Sequence, residues 1–129
     1  MTQFRLRIDF GPAKTRSLGP GKIQLLERIS ELGSIAAAAR SMGMAYRRAW
    51  LLVDSMNHCF RTPVLLTRKG GKAQGGAYLT PFGEALIVRY RAMEAKTHAV
   101  LSQHIEALEQ ELASEIHTQD LHTKDLRSS

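Results

Sequence analysis

Residues Gly33 to Trp50 read GSIAAAARSMGMAYRRAW, and the spacing within that stretch decides the fold. Gly33 stops a preceding helix, and Ser34 is a good N-cap for the next. The helix it opens, Ile35 to Met42, is short and mostly alanine. Such small side chains let a neighbouring helix approach closely, against Ala38, Ala39 and Met42. Gly43 breaks the chain for a tight turn, and a third helix runs from about Met44 to Phe60. Ala45, Ala49, Leu52, Val53, Met56 and Phe60 fall within an arc of about 100°, which is its buried face. Tyr46, Arg47 and Trp50 project from the other side near the N-terminal end, with Arg48 on the flank. Helix, Gly-Ser, short helix, Gly, and a helix with arginines at its start make the layout of a helix-turn-helix. The second helix of that motif offers its N-terminal residues to base edges in the major groove.

Outward from this core, Phe4, Leu6, Ile8 and Phe10 alternate with Arg5, Arg7 and Asp9, the pattern of a half-buried strand ended by Gly11-Pro12. A polar stretch, Ala13 to Gly21, leads into a helix whose Leu25, Leu26, Ile29 and Leu32 form one stripe. On the other side, Val64 to Lys69 reads as a strand. A glycine-rich tip from Gly70 to Gly76 carries Lys72 and Gln74, and Ala77 to Leu79 reads as the returning strand. A hairpin directly after a recognition helix is a wing, and the first strand is expected to pair against it. The fold expected for residues 1–80 is therefore a winged helix-turn-helix, mainly α with a small β-wing. The wing tip suits approach to phosphates through glycine amides, or a side chain laid in the minor groove.

Thr80-Pro81 supplies an N-cap and a first-turn proline. Leu86, Tyr90, Met93, Thr97 and Val100 follow a 4-3-4-3 spacing, which Leu101, Ile105, Leu108 and Leu112 repeat after a one-residue shift. A helix from Pro81 to Leu112 is about 48 Å long, whereas a body of this size is roughly 25 Å across. Half of it overhangs, and a second copy is the simplest partner for its apolar seam. A homodimer is expected through residues 81–113, with Leu86, Tyr90, Met93, Val100, Leu101, Ile105, Leu108 and Leu112 at the interface. The alternative is a helix folded back at Gly83 or near Thr97. Residues 114–129 are polar and expected to fray.

The chain has 129 residues and a formal net charge of +6. Residues 1–91 hold 15 Lys/Arg against 5 Asp/Glu, and residues 92–129 hold 3 against 7. A basic body with an acidic end points to a polyanionic partner for the first part alone. The longest apolar runs are five residues each, Ile35–Ala39 and Ala49–Val53, too short to span a membrane. The N-terminus lacks a secretory apolar segment, so a cytoplasmic, nucleoid-associated location is expected. The single cysteine, Cys59, excludes an internal disulfide and reads as a small core residue. The five histidines have no i, i+4 pair and no acids at metal-site spacing, so no metal is expected. No acid/base pair and no nucleophile elbow stands out, and the glycine-rich tip lacks a following Gly-Lys-Ser/Thr. An enzyme is not expected.

Gly33-Ser34-Ile35, the alanine-rich run to Gly43-Met44, Tyr46, Ala49-Trp50 and Met56-Asn57 resemble the N-terminal DNA-binding domain of the ModE family of molybdate-responsive bacterial regulators. So does Gly70-Gly71-Lys72-Ala73-Gln74-Gly75-Gly76-Ala77, followed by Leu79-Thr80 and Gly83. The resemblance covers roughly residues 20–100. LysR-type regulators share the helix-turn-helix and the linker-helix dimer, but generally not this wing. The resemblance implies a winged-helix homodimer on a palindromic operator. It places Tyr46, Arg47, Arg48 and Trp50 on the recognition helix and Lys69, Lys72 and Gln74 on the wing. Family members sense molybdate through C-terminal domains, and 16 residues follow Ala113 in this sequence. A stand-alone form is therefore expected, with no cofactor in the chain, the molybdate response open, and a separate effector-binding protein as a further partner.

Several residues carry two readings. Arg47 and Arg48 are candidates for a bidentate guanine contact or a phosphate contact. Tyr46 either donates to a phosphate or covers the edge of the core, and Trp50 either touches DNA or plugs the space between the second and third helices. Ser34 caps a helix, a position that also reaches phosphates. Arg68, Lys69 and Lys72 serve the wing or merely solubilise it. The expected function is a sequence-specific DNA-binding transcriptional regulator. The alternatives are a winged-helix adaptor that binds a protein partner, or a non-specific nucleoid-binding protein.

Overall fold

The computed structural model describes residues 4–12, 16–68 and 76–113. They form β1 (Ile8–Asp9), β2 (Ser17–Leu18), α1 (Pro20–Leu32), α2 (Ile35–Ser41), α3 (Tyr46–Cys59), β3 (Leu65–Thr67), β4 (Ala77–Leu79) and α4 (Pro81–Glu109). The fold is mainly helical with two small antiparallel ladders, β1–β2 and β3–β4. The expected tail, 114–129, and the wing tip with Lys69, Lys72 and Gln74 lie outside the described residues.

α1 is the central helix, with Ile23, Leu25, Leu26 and Ile29 wholly buried. Each such aliphatic side chain contributes about 1.5–3 kcal/mol by leaving water. Leu32, expected on the same stripe, is 48% exposed. It sits in the last turn at one edge of the buried arc, and Ile23, at the opposite edge near the start of the helix, is buried instead. α1 stops at Gly33, whose φ of 78° is open to glycine at little cost and whose N–H returns to the Ile29 carbonyl at 2.8 Å. The Ser34 Oγ then accepts from the Ala37 N–H at 3.0 Å and opens α2. Ala38 and Ala39 are buried, Met42 is half-buried, and Gly43 with a φ of 63° turns the chain into α3. Ala49, Val53 and Met56 seat α3 on the core; Leu52 and Phe60 cover its margin, whereas Ala45 is exposed at the N-cap.

The N-terminal segment departs from the expected pairing. Its alternation is present, with Phe4, Leu6 and Ile8 half-buried and Arg5 and Arg7 exposed, but Phe10 is exposed and only Ile8–Asp9 is strand. It pairs with Ser17–Leu18, not with the hairpin. The turn at Gly11-Pro12 folds the segment back on itself, with the Phe10 N–H bonding the Arg16 carbonyl at 2.8 Å. The third line beside the hairpin is instead the α1–α2 junction. Ser34 bridges Gly76, and the Ala77 N–H donates to the Gly33 carbonyl at 2.9 Å. β4 thus lies between β3 and the junction that caps α2.

α4 starts on Thr80, whose Oγ1 accepts from the Gly83 N–H at 2.9 Å and donates to the Pro63 carbonyl at 2.7 Å. It continues unbroken for 29 residues, about 43 Å, so it does not fold back at Gly83 or Thr97. Arg91 ties it to the body, reaching both Glu27 oxygens at 2.8 and 3.2 Å and Glu94 at 2.9 Å. Those bonds raise the guanidinium's already high pKa, so it stays charged throughout.

Candidate nucleic-acid interface

With Ala49, Val53 and Met56 inward, the period of α3 turns Arg47 and Leu51 directly outward. Tyr46 and Trp50 stand on the flank that faces the hairpin, and Arg48 on the flank toward α1. All five are exposed, Tyr46 to 55% and Trp50 to 45%. Tyr46 therefore projects from the surface more than it covers the core. Trp50 does not fill the α2–α3 gap, which the buried alanines close. Its indole borders a groove of about 260 Å³ with Ile35, Asn57, Leu65 and Leu66.

The charges of this surface are unbalanced. Among the described residues Arg47 and Arg48 have no carboxylate partner, while Asp9, Glu27 and Asp54 pair with Arg7, Arg91 and His58. α3 also lacks the side-chain cap that Ser34 gives α2 and Thr80 gives α4: Ala45 supplies none, and no acid lies in the first turn. With no side-chain cap from Ala45, the positive end of the helix dipole adds to the arginines. Ser34 is different. Its hydroxyl caps α2 and its backbone bridges Gly76, so it holds the scaffold together.

Asn57 fixes the hairpin to α3. Its Oδ1 accepts from the Val64 and Leu65 N–H groups at 2.7 and 3.3 Å, and its Nδ2 donates to the Leu65 carbonyl at 3.2 Å. Trp50, about 10 Å nearer the start of α3, borders Leu66 and Thr67. β3 therefore runs back along α3 toward its basic end, and Arg68 comes out beside that end. Lys22 joins the same scaffold from α1, donating to the Ser17 carbonyl at 2.9 Å and to the Ser17 and Ser55 hydroxyls. Partial burial lowers its pKa.

No protein-family model matches the chain. It is 47% identical over 85 residues to the molybdenum-pterin-binding protein MopB of Rhodobacter capsulatus, covering 66% of this chain and 32% of that protein. It is 31% identical over 115 residues to the molybdenum transport protein ModE of Azotobacter vinelandii, covering 89% and 43%. Over 71 residues it is 38% identical to the DNA-binding transcriptional dual regulator ModE of Escherichia coli strain K12, covering 55% and 27%. Its homologues are ModE and Mop proteins. The chain spans about a third of the length of these ModE and Mop relatives.

On α4 the structure divides the expected interface. Leu86 and Tyr90 are buried in the chain's own core, and the Tyr90 hydroxyl donates to the Leu6 carbonyl. They are unavailable to a partner because the apolar seam begins under the body before it emerges. Met93 is exposed beside an apolar cleft with Phe10, Phe60 and Phe82. Beyond it Val100, Leu101, Leu108 and Leu112 are exposed, Val100 to 79%, and Ile105 is half-exposed. Sequence reading missed Asn57, Leu51 and the hairpin's outward Leu66 and Tyr78. Asn57 stood in the ModE-like motif, but nothing in the spacing said that it faces the loop before β3.

Among the described residues no three His, Cys, Asp or Glu side chains gather as metal ligands. A cleft of about 820 Å³ between α1 and α4 is lined by the Glu27–Arg91–Glu94 ion pairs. No described helix is long and apolar enough to cross a membrane. Cys59 is half-buried at the end of α3.

Proposed function

We propose that this chain is the DNA-binding part of a transcription regulator linked to molybdenum, a winged helix-turn-helix that acts as a homodimer on a palindromic operator. The observation that carries the reading is the start of α3: a helix N-terminus without a side-chain cap, with Arg47 and Arg48 exposed and lacking a carboxylate partner among the described residues, clamped by Asn57 to an adjacent hairpin. In this reading Arg47, Leu51 and Trp50 enter the major groove, and Arg48, Tyr46 and the hairpin meet the backbone. The relatives, a DNA-binding transcriptional regulator, a molybdenum-pterin-binding protein and a molybdenum transport protein, supply the regulatory and molybdenum links.

The homodimer rests on one helical face. The side of α4 that carries Leu86 and Tyr90 into the core continues past the body as Leu101, Ile105 and Leu108, with Met93 and Val100 at its margin; α4 ends at Glu109, short of the exposed Leu112. Packing these against a second copy removes exposed apolar surface and sets two α3 helices at a fixed separation, one duplex turn of about 34–36 Å for successive major grooves.

Selection from random duplexes at about 150 mM salt, with and without molybdate, tests the reading. An enriched inverted repeat is expected. Binding without preference among duplexes, or capture of a protein instead, would replace it with a nucleoid-binding or adaptor role.

A further inference from the structure

The outward face of the hairpin holds a pair that the recognition-helix reading does not use. Arg68 follows β3, and its guanidinium lies 5.1 Å from the ring centroid of Tyr78 on β4. The same residue is tethered at its backbone, where the Arg68 N–H donates to the Gly76 carbonyl at 2.7 Å. Its aliphatic stem runs alongside Gly76, 3.6 Å from where a Cβ there would stand. Both side chains are exposed. Among the described residues Arg68 has no carboxylate partner, unlike Arg91, which has two.

These facts describe an arginine held in place without being neutralised. A long side chain normally loses rotamer freedom when it binds, and a ring beneath the guanidinium removes part of that loss in advance. A guanidinium held over a ring by one face keeps its N–H edge for other partners, and that edge matches two phosphate oxygens. Arg68 also lies at the level of the basic end of α3. From Asn57 back to Arg47 is about 15 Å of helix, and from Val64 to Arg68 about 13 Å of strand.

We propose that Arg68 and Tyr78 form a preorganised phosphate-binding pair that grips the sugar–phosphate backbone of a DNA duplex beside the groove entered by α3. The inference rests on the DNA-binding reading and adds a docking point outside the recognition helix. The contact is indifferent to base sequence and fixes how the helix is aimed.

The test is a titration of labelled duplex by the full chain at several salt concentrations, using wild type and variants at these two positions. Arg68→Gln is expected to weaken binding roughly tenfold on every duplex and to reduce the slope of log K against log salt by about one. Arg68→Lys should keep the slope and lose part of the affinity, because the charge remains and the stacked plane does not. Tyr78→Leu should also keep the slope and weaken binding several-fold, and Tyr78→Phe should resemble wild type. Thermal unfolding of each variant separates these effects from loss of the hairpin. If wild type binds duplex and Arg68→Gln leaves affinity and slope unchanged, the pair is overturned and the DNA-binding reading stands. If Tyr78→Leu binds as wild type does, preorganisation is overturned. If wild type retains no duplex, the DNA-binding reading fails and takes the pair with it.

Discussion

Asn57 holds Leu65 by both of its backbone groups, accepting the N–H at 3.3 Å and donating to the carbonyl at 3.2 Å. One side chain on α3 thus completes the outer edge of β3 and makes helix and hairpin a single body. Asn57→Leu strips partners from the Val64 and Leu65 backbone and should cost about 1–3 kcal/mol. Urea unfolding measures this, and a change under about 0.5 kcal/mol would show that the clamp is dispensable.

Gly83 packs against the chain before β3 with no room for a side chain. A Cβ there would lie 2.1 Å from the Val64 carbonyl oxygen. Gly83→Ala therefore forces α4 away from the body and should destabilise by about 1–3 kcal/mol or more. Gly21→Ala is the control, since its Cβ meets nothing within 4 Å in the first turn of α1. It should be neutral or stabilising by up to about 1 kcal/mol. Equal melting shifts for the two variants would contradict the packing.

The buried Tyr90 phenol titrates above the ordinary tyrosine range, chiefly because burial disfavours phenolate, with the Glu94 charge acting in the same direction. A group whose pKa rises on folding contributes stability below its unfolded pKa, here 10.0, and loses it as pH climbs through the folded value. Wild type should therefore lose stability above about pH 10, and Tyr90→Phe should flatten that loss. At neutral pH the variant also lacks the bond to Leu6 and should be about 0.5–1.5 kcal/mol less stable. Melting temperatures of both proteins across alkaline pH check the sign. A parallel fall in both would remove Tyr90 as the cause.

On α4 the two halves of one face should respond differently. Leu108, 69% exposed, belongs to the proposed dimer seam, whereas Leu86 belongs to the core. Leu108→Glu should shift sedimentation equilibrium toward monomer and leave the helical spectrum of the body intact. Leu86→Ala should lower the melting temperature, at a cost of about 2–5 kcal/mol. Wild type sedimenting as a monomer at every concentration would dispose of the seam.

Local signals carried the helical frame into the sequence. Gly33, Ser34, Gly43 and Thr80-Pro81 mark helix ends through chemistry confined to a turn, and each holds its expected place. Relations between distant segments were not legible. The alternation from Phe4 to Phe10 shows which side chains turn inward but not which strand they meet, so the partner of β1 was misassigned. Leu86 and Tyr90 share a period with Leu101 and Leu108, and period alone cannot tell where the body ends. The exposed arginines of α3 could be read from its buried stripe. The Asn57 clamp and the Arg68–Tyr78 pair could not, because each joins segments whose juxtaposition only the fold creates.

In the proposed function the first turns of α3 read bases. Affinity of wild type, Arg47→Ala and Arg48→Ala, measured on a selected duplex and on its single-base-pair substitutions, tests it most directly. Wild type should lose about 1–3 kcal/mol at each recognised position. At least one arginine variant should become indifferent to substitution at one position while melting within about 0.5 kcal/mol of wild type in stability. If both variants instead weaken every duplex by one common factor, α3 meets only the backbone and the base-reading account is wrong.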